Sequence, residues 1–469
     1  VIRKKSLIGS TCLAALVLGS GSTFAQQNNS SEAQGSVLEF GISSTLSATD
    51  NYRLLLNGDD SAEFFDTRLT LGYINRRDSD VFRFNLGGVV RAIEAPGNGA
   101  RTLDDITAGI GYDREGANSR FTFGVDYRLV SVNFLNPFDL DFGDDPLEPG
   151  DFIDDVGDRE QFGARFSFET GVNDPIGFIF DGRYRKIDYT DTTDPDLYNT
   201  EVISLGGTTR FTLSPVTEGR IALRLSDYKA EDSFDTDRQT TSVGLGLRHE
   251  LSSTDTLDIS IGRRRIETEE TILGVRQLDT ERGLIGSIDL TRELALGTIG
   301  TSFDVSQSVN GQTETWLVSR AMPLPRGALE ISLGLANDVA NRTRPVGALR
   351  FQHEMATSTL TASIERSVST TLRSEETATT RASLGYTYEI NSISVLGFSL
   401  NYVDINQAGG PAINDVNRTD FRATYARDLT RDWQLLTGYE YQEREEAGVG
   451  SASSNRIFMT LERKFSIRP

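Results

Sequence analysis

Along most of this chain apolar and polar residues alternate one by one. In the final stretch Ile457, Met459, Leu461, Phe465 and Ile467 share one face, and Thr460, Glu462, Lys464 and Ser466 share the other. Side chains that change face at every residue mark a β-strand. The first such stretch sets Leu38, Phe40, Ile42 and Leu46 against Glu39, Gly41 and Ser43. Phe82, Phe84, Leu86 and Val90 alternate with Arg83, Asn85, Gly87 and Arg91, and Trp433, Leu435, Tyr439 and Tyr441 with Gln434, Gly438 and Glu440. About 22 segments follow this rule, each near the roughly ten residues that a tilted strand needs to cross a bilayer. The pattern is weakest over 266–282 and 313–328, which widens the range to about 20 to 24 strands.

The connections sort into two kinds. Short ones, such as Asn173-Asp174-Pro175, Ser214-Pro215-Val216 and Thr430-Arg431-Asp432, alternate with longer polar ones, such as 190–198, 406–416 and 136–158. Short turns on one side and long loops on the other belong to outer-membrane barrels. A closed barrel also satisfies every backbone group without an exposed edge. The expected fold is therefore all-β: a single transmembrane, antiparallel, up-and-down β-barrel with both termini periplasmic, its apolar face toward lipid and its charged face toward a watery lumen. A secreted β-solenoid or multi-sandwich protein is the competing architecture, but no short fixed-period repeat supports a solenoid.

Composition changes this picture little. The 469 residues are 37% hydrophobic and 25% charged, with a formal net charge of -21. After the N-terminal stretch no run reaches the ~20 apolar residues of a membrane helix. Arg3, Lys4 and Lys5, an apolar run from Leu7 to Leu18, and Thr23-Phe24-Ala25 read as a signal peptide cut after Ala25. This gives 1–25 as signal, 26–36 as a short periplasmic tail and 37–469 as barrel. The single cysteine, Cys12, lies in the signal, so the mature chain is expected to hold no disulfide, no cysteine metal site and no cofactor. An acidic exported chain is also a poor binder of nucleic acid.

A signal peptide, a first strand followed by Ala48-Thr49-Asp50-Asn51-Tyr52, and Gly-rich alternation up to the C-terminus resemble the outer-membrane β-barrel porin family found beside exopolysaccharide-export genes. The resemblance implies a location in the outer membrane of a Gram-negative bacterium and a porin-like channel, for polysaccharide or other polar solutes. It implies as partners outer-membrane lipid and lipopolysaccharide, the barrel-assembly machinery and polysaccharide-export components. A non-conducting surface barrel, acting as adhesin or export scaffold, is the alternative.

Two sets of residues are candidates for function. The lumen phase holds Arg83, Arg91, Arg128, Arg165, Arg183, Arg185, Arg210, Arg224, Arg248, Arg264, Arg350 and Arg422. With them come Asp126, Glu169, Asp181, Asp258, Asp289, Asp304, Glu365, Glu440 and Glu462. These charges either brace a wet wall as ion pairs or line a selective pore. The second set is the acidic loop 136–158, with Asp139, Asp141, Asp144, Asp145, Glu148, Asp151, Asp154, Asp155 and Asp158. It could be solvated, bind calcium, or fold inward as a constriction. Only about ten residues separate Ala25 from the first strand, too few for the plug that wide barrels carry. Inward folding of this loop, with a cation preference from its carboxylates, is therefore expected. His249 and His353 fall on the apolar face near short turns, which suits interfacial anchors and not catalysis.

Overall fold

A computed structural model describes residues 34–56, 58, 60–95, 98–135, 155–407 and 415–468. These form a closed antiparallel sheet of 22 strands in chain order. The first six are β1 (Gly35–Thr49), β2 (Ala62–Arg76), β3 (Asp80–Ala95), β4 (Asn98–Glu115), β5 (Ser119–Ser131) and β6 (Asp158–Thr170). Next come β7 (Ile176–Thr190), β8 (Thr200–Ser214), β9 (Thr217–Ala230), β10 (Thr236–Glu250), β11 (Asp255–Ile272) and β12 (Val275–Glu293). They are followed by β13 (Thr298–Ser308), β14 (Gly311–Leu324), β15 (Gly327–Asn337), β16 (Thr343–Glu354), β17 (Ser358–Thr370) and β18 (Glu376–Asn391). The last four are β19 (Ser394–Gln407), β20 (Val416–Asp428), β21 (Trp433–Glu446) and β22 (Gly450–Ile467).

Each strand pairs with its sequence neighbours, and β22 returns to β1, from Leu38 opposite Ile467 to Thr49 opposite Arg456. Along this seam Thr45 bonds Thr460 at 2.8 Å and Thr49 bonds Ser454 at 3.0 Å. Phe40 meets Phe465 with ring centroids 6.0 Å apart. The terminal strand thus keeps the phase its sequence suggests, with Arg463 on the apolar face. That guanidinium lies over the rings of Trp433 (5.3 Å) and Phe465 (4.3 Å) and reaches Asp432 at 3.5 Å. Its stem lies along apolar surface while its charge reaches the periplasmic rim.

The exterior is an apolar band. Phe65, Leu69, Phe123, Phe166, Phe178, Leu223, Leu245, Ile261, Trp316, Leu384 and Met459 are all exposed on it. His249 and His353 sit on this face at the periplasmic ends of β10 and β16. His249 shares a hydrogen bond with the Thr217 hydroxyl at 2.9 Å, and His353 stacks on Phe351.

The weak stretch 266–282 resolves into two strands. Leu273 and Gly274 connect them, with φ of 52° and 77°. Two successive positive φ values make a hairpin turn that matches strand twist. A leucine there hid the turn, because Asn or Gly is the usual signal. This outer connection and the one between β13 and β14 are tight turns, so outer loops are not uniformly long. The β11–β12 hairpin is taller than its neighbour: β12 pairs with β13 only from Gly286 to Glu293.

Candidate functional site: the charged lumen and its outer mouth

Which face is the lumen follows from contacts that only the inside can make. Arg238 on β10 donates to the Leu372 carbonyl (3.3 Å) and the Ser374 hydroxyl (2.6 Å) in the β17–β18 loop. These strands are not neighbours, so the bonds cross the interior. By register every wall candidate named from the sequence lies in this inward phase.

The wall is uneven around its circumference. From β6 to β11 it is rich in arginine. Arg165 stands opposite Arg183, and Arg210 opposite Arg220. Arg224 is flanked by Gly206 and Ser242. Carboxylates neutralise part of this: Arg220 bonds Asp258, Arg165 reaches Asp126 at 3.9 Å, and Arg210 reaches Glu169 at 3.7 Å and Glu218 at 3.8 Å. Arg264 donates to the Gln307 carbonyl at 2.7 Å. Arg224 and Arg248 form no ion pair among the described residues. Small residues such as Gly163, Gly206 and Gly246 lie under the charged side chains of Asp126, Asp181 and Arg220, where a Cβ would collide at the first two and crowd at the third. The glycines give the long side chains room to lie along the wall.

On β13, β17 and β18 the inward face is mostly hydroxyl. Ser306 bonds Thr313 at 2.7 Å and Ser363 bonds Ser383 at 2.7 Å. Among the charges here is the pair Arg350–Glu365 at 2.9 Å. Beyond it Arg422 and Arg456 converge on Glu440 at 3.1 and 3.3 Å. Arg83 bonds Asp113 across β3 and β4.

At the outer end of β2–β5 the charges become a buried network. Arg91 donates to Asp66 at 2.9 Å and to Asp104, while Asp105 accepts from Arg68 (2.6 Å) and Arg128 (2.9 Å). Two adjacent aspartates can both face inward because the β3–β4 register slips between Gly87 and Val89, and Asp105 takes φ 46°. An extra residue in one strand of a pair is a β-bulge, which re-aims a side chain. Asp104 also accepts from the Ser131 N–H at 2.8 Å. That bond helps turn the chain inward into one 3-10 turn, Val132–Phe134. The Arg91 guanidinium lies 3.6 Å from the centroid of Phe134, whose ring meets Tyr52 and Phe64. Beside it Val130, Val132, Leu135, Ile187, Tyr189 and Leu197 form a small apolar core inside the mouth.

Of the acidic-loop candidates, Asp139, Asp141, Asp144, Asp145, Glu148, Asp151 and Asp154 lie outside the described residues. Asp155 is buried; its carboxylate accepts from the Thr193 and Asp194 N–H groups at 2.5 and 2.7 Å and from the Thr193 hydroxyl at 3.1 Å. It is thus occupied in tying down the β7–β8 loop. Asp158 opens β6 in the outward phase of Phe162 and does not face the lumen. Burial would raise the Asp155 pKa, but the backbone donors of Asp194, Thr193 and Val156 outweigh it and hold it below the usual 3.8. A depressed folded pKa gives stability that is present above the unfolded value and lost as pH falls through the folded one. The β7–β8 loop should therefore resist protease at neutral pH and become cleavable only as pH falls below the usual aspartate range. Asp155→Asn, which lacks the charge, should be cleavable at both pH values, as limited proteolysis followed by mass spectrometry would read.

The Asp50-Asn51 pair clasps the outer end of the seam. Asp50 accepts from the Asn455 N–H and side-chain amide, both at 2.7 Å, and Asn51 donates to the Leu55 and Ser453 carbonyls at 2.9 and 3.1 Å. Among the described residues no group of three or more His, Cys, Asp or Glu could hold a metal ion.

A closed sheet with an apolar outer band and a charged lumen is an outer-membrane β-barrel of the Gram-negative type. Its solved structural likenesses are of that class. They include the ferric-catecholate import receptor Fiu of E. coli K12, at TM-score 0.56 and 10% identity over 91% of this chain and 81% of that one. The FrpB iron transporter of Neisseria meningitidis gives 0.56 and 9% over 91% and 82%. The copper transporter OprC gives 0.54 and 11% over 92% and 82%. At such identities the likeness is one of fold. No protein-family model and no curated protein matches the chain.

Proposed function

We propose that this barrel is an outer-membrane channel for polar, hydroxyl-rich solutes that carry negative charge, with acidic oligosaccharides as the class that fits. The observation that carries this reading is the two-sided wall. Arginines on β6–β11, among them Arg224 and Arg248, which form no ion pair among the described residues, offer sites for anionic groups, and guanidinium pairs with carboxylate in two-point fashion. Serine and threonine on β13, β14, β17 and β18 offer hydroxyls that exchange hydrogen bonds with sugar hydroxyls. The porin likeness seen in the sequence points the same way. The structurally similar proteins include iron and copper transporters, which supports passage of solute through such a barrel in general.

A second reading, a non-conducting surface barrel, is favoured by the β17–β18 loop bonded across the mouth to Arg238. Planar bilayers separate the two. Purified protein should give stable unitary conductance that an acidic oligosaccharide reduces from one side. Insertion without conductance would favour the surface barrel, and conductance indifferent to the oligosaccharide would remove the substrate class.

A further inference from the structure

The outer wall over β10–β12 changes character abruptly. Leu245 and Val243 on β10, Ile259 and Ile261 on β11, and Ile288 and Leu284 on β12 share the lipid-facing phase. At the next outward-facing positions toward the cell exterior stand Arg263 and Arg265 on β11 and Arg282 on β12, all exposed. Arg265 is directly opposite Arg282, and Arg263 opposite Leu284. Like charges facing each other across a strand pair are destabilising. A guanidinium at the edge of the hydrocarbon band is also costly unless a counter-charge meets it there.

The chain itself supplies little of that charge. Arg265 reaches Glu267 at 2.5 Å. Arg263 and Arg282 form no ion pair among the described residues. Three other arginines on the same exterior are partnered: Arg292 bonds Asp255 at 2.6 Å, Arg320 bonds the Leu296 carbonyl at 2.5 Å, and Arg463 reaches Asp432. In ladder pairing Val275–Ile285 join β11 alone, with Gln307 at the end of β13 lying against Gly283.

We propose that Arg263, Arg265 and Arg282 bind the phosphate groups of an outer-leaflet glycolipid. The depth fits, because the arginines sit where apolar wall gives way to polar surface, and a lipid's phosphates sit at the same boundary above its acyl chains. The chemistry fits too: guanidinium presents a planar fork to phosphate oxygens, and several forks at one level suit a doubly phosphorylated head group. Acyl chains would lie on Leu245, Ile261 and Ile288 below. This site is on the exterior, so it does not depend on whether the lumen conducts.

The test uses the full chain in detergent, by native mass spectrometry, with bisphosphorylated lipid A and with the same lipid stripped of phosphate. The phosphorylated form should be retained about tenfold or more over the stripped form, as expected for losing charge-assisted bonds. The triple variant R263Q/R265Q/R282Q, checked for the heat-modifiable mobility of a closed barrel, should bind both forms equally weakly. Equal retention of the two lipids by the unaltered protein would overturn the proposal without recourse to any variant. So would a closed triple variant that still prefers the phosphorylated lipid.

Discussion

Replacing Arg91 by alanine is expected to destabilise the barrel by about 3–5 kcal/mol, the range for removing one partner of a buried ion pair. The side chains of Arg91, Asp66 and Asp104 are 11%, 17% and 4% exposed, so the abandoned carboxylates cannot simply hydrate. The same change removes the cation beneath Phe134, and with it a contact that holds the start of the β5–β6 connection inside the mouth. Urea unfolding in detergent should show the loss as a lower midpoint. Tyr52, stacked on Phe134, should gain solvent exposure in fluorescence. Arg91→Lys keeps a charge but not the forked geometry, and should fall between the two. An unchanged midpoint in Arg91→Ala would mean that water already satisfies these aspartates.

The second large effect concerns the lumen. Under a salt gradient across a planar bilayer, Arg224→Glu/Arg248→Glu should move the reversal potential toward cations relative to the unaltered protein. Neither side chain forms an ion pair among the described residues, and Arg224, flanked by Gly206 and Ser242, should carry more of the effect than Arg248, which lies between Glu218 and Asp258. Arg220→Glu is the informative contrast. It leaves Asp258 next to a like charge and should chiefly reduce stability, because Arg220 is already paired. If Arg224→Glu/Arg248→Glu conducts with the original selectivity, the β6–β11 wall does not face the ion path.

Much of the fold was legible in the sequence because the membrane imposes one rule at every rung. A residue either meets lipid or does not, and Phe178, Phe180, Asp181 and Arg183 declare their faces without knowledge of any partner. The register-independent part of the site, the inward phase of the arginines, came with it. The rest depended on departures from the rule. Adjacent Asp104 and Asp105 break the alternation, and that break was the visible trace of the bulge. Arg238 and Ser374 meet across open space, and no periodicity links them. Phe134 and Leu197 are apolar residues in connections, whose burial depends on which loops fold over which part of the mouth. Leu273 occupied a turn position where chemistry would suggest asparagine or glycine.

The seam has a consequence for how such a chain can be assembled. Every strand pair except one joins sequence neighbours, so hairpins can form locally and early, with small loop-closure entropy. The exception brings Thr45 to Thr460, across a sequence separation of 415 residues. Until that last ladder zips, both terminal strands present unpaired backbone, which is intolerable in lipid and sticky in water. Closure is therefore a late, concerted event, and the N-terminal edge must wait for the C-terminal one. The Asp50–Asn455 clasp lies at the far end of that zipper, where it can lock the ring only after the rungs below it are made.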